Sequence, residues 1–169
     1  MSTYANKGKG LESTILCTNE IYDKRGIAFI QRIATPVTVR WNNGKIDGAF
    51  HREKSTLDFR GTLAGGQAIS FDCKESTELT GLPLSYIKPH QVEYMRKAAK
   101  FDEITFLVVY IKPLNKYFVT SYHVINLFWE TWQQNRGKRG YNFIPIDNMT
   151  EVTQGRNTPL DYLAGLQGV

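Results

Sequence analysis

Residues 55–76 read STLDFRGTLAGGQAISFDCKES, and this stretch decides the fold. It reads as two strands, 56–59 and 67–74, joined by the Gly-rich turn RGTLAGG. Side chains alternate across a strand, so Asp72 and Lys74 share one face while Phe71 and Cys73 point into the packing on the other. A hairpin-like connection brings Asp58, at the end of the first strand, beside Asp72. Two converging carboxylates repel each other unless a cation lies between them. Mg²⁺ suits such a place, because it takes one or two carboxylates and fills its other positions with water and phosphate oxygens. An ion held there acidifies a bound water and polarises phosphorus, and Mn²⁺ is a natural substitute. Lys74 then either orients or deprotonates the water, or stabilises the extra charge on the phosphorane. All three side chains therefore have a job in phosphodiester hydrolysis. A D-x-K triplet alone is more often a solvated strand face or a surface ion pair. The upstream Asp, the glycines between and the basic segment that precedes them favour phosphate chemistry.

That segment is TPVTVRWNNGKIDGAFHREK, residues 35–54. Val37, Val39 and Trp41 alternate with Thr38 and Arg40, and Asn43-Gly44 is a strong two-residue hairpin signal. Residues 45–50 offer little to a core, so the hairpin is expected to project from the body. Before it, Leu11–Lys24 has helical spacing with Leu11, Ile15 and Ile21 near one face and Gly26 as the stop. Residues 28–33 read as a buried strand. After the central pair, 88–101 is an amphipathic helix with Val92 and Met95 inward. ITFLVVYI (104–111) and KYFVT (116–120) are strands, the first apolar enough to be central. Residues 122–134 form an aromatic-rich helix, and 141–146 an edge strand. This order predicts a single layered α/β domain with a mixed sheet. Trp129, Trp132, Phe128 and Tyr122 are read as core or dimer interface rather than base-stacking platforms.

Charge is localised. Between residues 24 and 60 eight cations stand against three acids, an excess equal to the +5 of the whole 169-residue chain. A second basic cluster is Arg136, Lys138 and Arg139. Such clustering suits counterion release from a nucleic-acid backbone. Cys17 and Cys73 have no metal spacing and are too few for a disulfide framework. The polar N-terminus lacks the apolar core of a signal peptide, and the longest apolar stretch, Ile104–Ile111, is far too short for a bilayer. No membrane association is expected, and the cytoplasm is the expected location.

The ordered motifs resemble the PD-(D/E)XK nuclease superfamily and, more closely, the RecU family of Holliday junction resolvases of Gram-positive bacteria and their phages. KGKGLE (7–12) resembles the family's basic segment leading to a helical Glu. ATPVTVRW (34–41) resembles the start of its stalk, and STLDFRG (55–61) its Thr-x-Asp-x-x-Gly strand. SFDCKES (70–76) resembles its (Asp/Glu)-x-Lys-Glu strand, and LPLSYIKPHQVEYMRK (82–97) its Pro-Leu…His-Gln-(Ile/Val)-Glu helix. The short chain, without a long basic N-terminal tail, leans towards the phage-encoded members.

The resemblance implies a restriction-endonuclease-like core, a mixed sheet flanked by helices, with a projecting basic stalk over about 36–54 and a flexible basic segment over 1–10. It implies Asp58 and Asp72 as metal ligands and Lys74 as the catalytic lysine. Glu12 becomes a further acid near the metal or its water, Thr56 a contact to the scissile phosphate, and Gln91 a group placing water or phosphate. Lys7 and Lys9 grip the backbone, while Arg40, Lys45, Arg52 and Lys54 face converging phosphates at the junction centre. Two departures stand out: Asp72 replaces the family's usual Glu, and Lys9 a frequent Arg, turning a bidentate phosphate contact into a point charge. On the residues alone Glu12 equally serves the helix dipole, and Thr56 is an ordinary strand residue. The partners implied are four-way junction DNA and a second copy of the chain, since paired cuts across a two-fold axis need two sites. A recombinase or branch-migration helicase is the class of protein partner left open. Another nuclease of the superfamily and a non-catalytic junction-binding protein remain as alternatives.

Overall fold

The computed structural model describes residues 10–34, 37–51, 57–155 and 157–166. Helix α1 (Leu11–Lys24) leads into β1 (Ala28–Arg32). A hairpin of β2 (Val37–Asn42) and β3 (Lys45–His51) follows, then β4 (Phe59–Leu63), β5 (Ala68–Ser76) and β6 (Gly81–Pro83). Helix α2 (Pro89–Ala99), β7 (Ile104–Ile111), β8 (Lys116–Ser121), α3 (Tyr122–Gln134), β9 (Phe143–Pro145) and β10 (Thr150–Val152) complete the regular elements. The central sheet runs β1-β4-β5-β7-β8-β10, with β5 and β7 parallel and the other neighbours antiparallel. It is the mixed sheet the sequence predicts, with β7 in its interior.

Alternation along the strands splits the apolar residues between two layers. Phe59, Ile69, Phe71, Phe106 and Val108 pack with Leu11, Ile15 and Tyr22 of α1. Leu107, Val109 and Ile111 pack on the opposite face with Val92 and Met95 of α2 and Ile125 and Trp129 of α3. Phe71 stacks between Phe59 and Phe106 at ring separations of 5.0 and 4.7 Å, and Tyr162 tilts against it at 5.0 Å. Each such fully buried ring contributes about 1.5–3 kcal/mol. Tyr22 donates to Asp161 Oδ1 (2.7 Å) and Tyr162 to Asn19 Oδ1 (2.5 Å), which ties the C-terminal segment to α1. Burial raises both phenols above the ordinary tyrosine range.

Several expectations need correction. The strand expected at 56–59 begins at Phe59 and runs on to Leu63, so the turn shrinks to the residues around Gly65 and Gly66. Gly61 is strand, pairing with Ile30 and Ile69, and it is glycine because a Cβ there would lie 2.1 Å from the Phe29 carbonyl oxygen. Asp58 therefore precedes the strand rather than ending it. Strand β1 is only half-buried: Ala28 and Ile30 face the core, while Phe29 is 55% exposed on this sheet edge. In α1 the inward face ends on Tyr22 rather than Ile21. Helix α2 is shorter than expected, with Pro89 in its first turn and Phe101 left 84% exposed beyond its end. The expected edge strand at 141–146 narrows to β9, which pairs with β6 outside the central sheet; the outer strand is β10, which the sequence did not suggest.

The hairpin forms as read. Asn43 (φ 49°) and Gly44 (φ 75°) make its turn, and a register shift lies between Arg40 and Trp41. Among the described residues it pairs only with itself, and its tip, Lys45 included, is exposed.

Candidate active site

Strand β5 builds both the core and the site. Its residues Ile69 and Phe71 enter the α1 layer, which turns Ser70, Asp72 and Lys74 towards α2. Phe59 pairs with Phe71, so the residue before β4, Asp58, stands beside Asp72. The two carboxyl groups lie within hydrogen-bonding reach of each other. Asp58 Oδ2 also accepts the Cys73 backbone N–H at 3.4 Å, which anchors it to β5. Asp72 is 1% exposed, and its Oδ2 lies 2.5 Å from Lys74 Nζ. That oxygen nonetheless accepts no well-directed hydrogen bond. Lys74 Nζ donates to Gln91 Oε1 (3.2 Å), and the same oxygen accepts the Lys88 N–H (3.0 Å) at the start of α2. Gln91 thus holds the lysine and satisfies one open backbone donor of its own helix.

Burial is the main reason the Asp72 carboxyl is pushed up to about 7, with the adjacent Asp58 adding to the rise and Lys74 opposing it. Burial also raises the Cys73 thiol, and Asp72, Asp58 and Glu12 all add to that rise. The field of Glu12 therefore reaches β5. Its side chain, half exposed on α1, is engaged by Arg32 Nη2 at 2.6 Å. Among the described residues the structure brings Asp58, Asp72, Lys74 and Gln91 together, with Glu12 on the α1 side and turned to Arg32. Thr56, Lys7, Lys9, Arg52 and Lys54 lie outside the described residues. Arg40 is placed by its backbone on β2, distant in sequence from the acids, and Lys45 at the exposed tip.

Three features escaped the sequence reading. Arg32 is the partner of Glu12. Glu75, on the other face of β5 from Lys74, accepts the Leu11 N–H (3.4 Å) and pairs with Lys112 Nζ (2.6 Å), fixing the first turn of α1. The hydrogen bond from Lys112 draws the Glu75 carboxyl below its usual range. Finally, Ser70 Oγ (2.6 Å) and Tyr94 OH (3.1 Å) donate to Glu103 Oε1, beside which stands Arg60 (3.8 Å). The α1-directed face of β5 could have drawn attention to Glu75; nothing local marks Arg32 or Glu103.

The described residues contain no cluster of three or more His, Cys, Asp or Glu side chains suited to a metal. The donor set still fits a hard divalent cation that keeps most of its waters. It offers two facing carboxylates, one buried with an oxygen lacking a well-directed donor, and oxygen atoms only.

A mixed sheet carrying two acids and a lysine at adjoining strands defines the class, the PD-(D/E)XK nuclease superfamily. Within it the chain belongs to the RecU family, Recombination protein U, which matches residues 6–168. The Holliday junction resolvase RecU of Staphylococcus aureus strain MRSA252 is 31% identical over 165 residues, covering 94% of this chain and 76% of that one. The protein of the same description from strain JH9 matches equally. Among solved structures, Archaeoglobus fulgidus Hjc, a Holliday junction resolvase from an archaeal hyperthermophile, aligns over 81% of this chain and 94% of its own. The TM-score is 0.43 at 13% identity. No described helix is long and apolar enough to cross a membrane.

Proposed function

We propose that the chain is an endonuclease that resolves four-way DNA junctions in recombination and repair, cutting as a two-fold dimer with Mg²⁺ held at Asp58 and Asp72. The observation that carries this reading is the convergence of Asp58, Asp72 and Lys74 on one sheet face, with Asp72 buried and pushed towards neutrality. A purely structural site gains nothing from burying a carboxylate against a second one. A divalent ion supplies, when bound, an acidified water and charge neutralisation at phosphorus. The remaining work falls to the protein. Asp58 and Asp72 hold the cation, and Asp58 is itself fixed by the Cys73 N–H. Lys74, steered by Gln91, stands beside Asp72 where it can donate to a phosphate oxygen or take part in proton transfer with the attacking water. Lys7, Lys9 and Thr56 are proposed to contact the phosphate backbone near the cut. The β2–β3 hairpin, with Arg40 and Lys45, and the adjoining Arg52 and Lys54 are proposed to meet the junction centre, reading shape and charge rather than base sequence.

The test is incubation of labelled four-way junction, linear duplex and flap DNA with Mg²⁺, Mn²⁺ or EDTA. Metal-dependent paired nicking of the junction in preference to the other two is the expected result. Binding without cutting in either metal would sink the enzyme reading; equal cutting of all three substrates would sink the junction reading.

A further inference from the structure

Helices α2 and α3 pack against the β7 and β8 part of the sheet, and their layer contains no residue of β1 or β4 apart from Leu57 just before β4. On that same face Phe29, Gln31, Arg60 and Thr62 are exposed. The register gives their places. Arg60 lies opposite Ser70 on β5 and Gln31 on β1, and Thr62 lies opposite Ala68 and Phe29. One two-residue step from the Arg60–Ser70 pair, about 6.6–6.8 Å along the strands, is the position of Asp58 and Asp72. Arg60 therefore shares a sheet face with the two acids and is the next outward-pointing residue of its strand.

Its side chain is 59% exposed and stands beside a buried acid. Glu103, 9% exposed, is held by Ser70 and Tyr94, and it faces the Arg60 Nε. With Nε turned to Glu103, the two terminal nitrogens have no other partner among the described residues. A guanidinium whose terminal nitrogens are open in this way suits bidentate contact with a phosphate.

We infer that the β1–β4 face, left uncovered by the described residues, carries a duplex arm of the DNA substrate, with Arg60 gripping a backbone phosphate next to the one that is cut. The inference rests on the nuclease reading of Asp58 and Asp72. On the α2 side Gln91 closes around Lys74, so a nucleic-acid strand lying at the acids has its open course across β4 and β1. Arg60 supplies positive charge on that course, beside acids that an ion would neutralise. Glu103, Ser70 and Tyr94 act as positioning residues for Arg60 and do not touch the DNA.

The test measures binding of junction and linear duplex without divalent metal, for wild type, Arg60→Ala and Arg60→Lys, between about 50 and 200 mM salt. One lost phosphate contact lowers the slope of log affinity against log salt by about 0.9. Arg60→Ala is expected to show that drop on both DNAs, so its affinity should fall about three- to fourfold less than that of wild type across the salt range. Arg60→Lys is expected to keep the slope, since a point charge still releases a counterion. A wild-type slope in Arg60→Ala would overturn the inference. So would an unchanged slope with an altered oligomeric state by light scattering, which would assign the face to a second protein chain. The outcome is separable from the nuclease reading: wild type that never cuts junctions would sink that reading alone, whereas normal cutting with an unchanged Arg60→Ala slope would sink only this one.

Discussion

Replacing Asp72 by Asn should stabilise the metal-free protein at alkaline pH while abolishing cutting. The ordinary carboxyl value near 3.8 is raised to about 7 in the fold, chiefly by burial. A raised value means that the folded state holds its proton more tightly than the unfolded chain. The associated stability is fully present below the ordinary value and is lost as pH rises through about 7. By about pH 8 the wild type carries an ionised, buried Asp72; about three units at 1.36 kcal/mol each set a ceiling of roughly 4 kcal/mol. Part of this gain is forfeited in the variant, because Lys74 then faces a neutral amide instead of a carboxylate. A net gain of about 2 kcal/mol corresponds to about 4–8 °C in Tm for a chain of this size. At about pH 5, only about one unit above the ordinary value, the gap should shrink to less than half its pH 8 size, and it should close only below about pH 4. The assay is thermal unfolding by circular dichroism in EDTA across this pH range, repeated with excess Mg²⁺. With the metal at 100 times its Kd, wild type should gain about 2.7 kcal/mol and the variant far less, which reverses their order. A variant no more stable than wild type at pH 8, or equally stabilised at pH 5 and pH 8, would refute this account of the buried charge.

Lys74→Ala should lower the cutting rate by about 10²–10⁴-fold while junction affinity stays within a few-fold of wild type, as read by single-turnover cleavage beside gel shift. Calorimetric Mg²⁺ titration in buffers of different ionisation enthalpy should show net proton release near pH 6.5 that vanishes in Asp72→Asn, because binding displaces the Asp72 proton. Removing the hairpin tip, residues 42–46, should weaken preference for junction over linear duplex and leave Tm nearly unchanged; unaltered discrimination in a competition gel shift would exclude its role. Phe71→Ala should cost about 3–5 kcal/mol by urea unfolding, since the ring is enclosed between Phe59 and Phe106.

What the sequence discloses here is what alternation and turn chemistry can carry. FDCKES has period two, so Asp72 and Lys74 share a face whatever packs against them, and Asn43-Gly44 adopts positive φ through its own steric freedom. Gly61 misleads because glycine signals a turn locally, whereas here it permits the Phe29 carbonyl to approach across the sheet. Strand β10 has three residues, too few for any period, and its place is fixed by pairing with β8. Arg32, Glu75 and Glu103 find their partners across gaps of 20, 64 and 33 residues, and only the fold can bring such pairs together.

The division of β5 explains why the site sits where it does. Of its α1-directed side chains, Ile69 is fully buried and Phe71 is locked in the aromatic stack, so the strand can scarcely shift or rotate without opening the core. Its α2-directed side chains, Ser70, Asp72 and Lys74, are polar and inherit that rigidity without needing much packing of their own. A buried carboxylate destabilises, and a mobile strand would relieve it by turning Asp72 to solvent. The phenylalanine stack denies that escape, which keeps Asp72 facing Asp58, the arrangement that the proposed cation site requires. The core on one face of the strand is thus a condition for the proposed chemistry on the other, and on that reading substitutions at Phe71 too mild to unfold the protein should still weaken Mg²⁺ affinity.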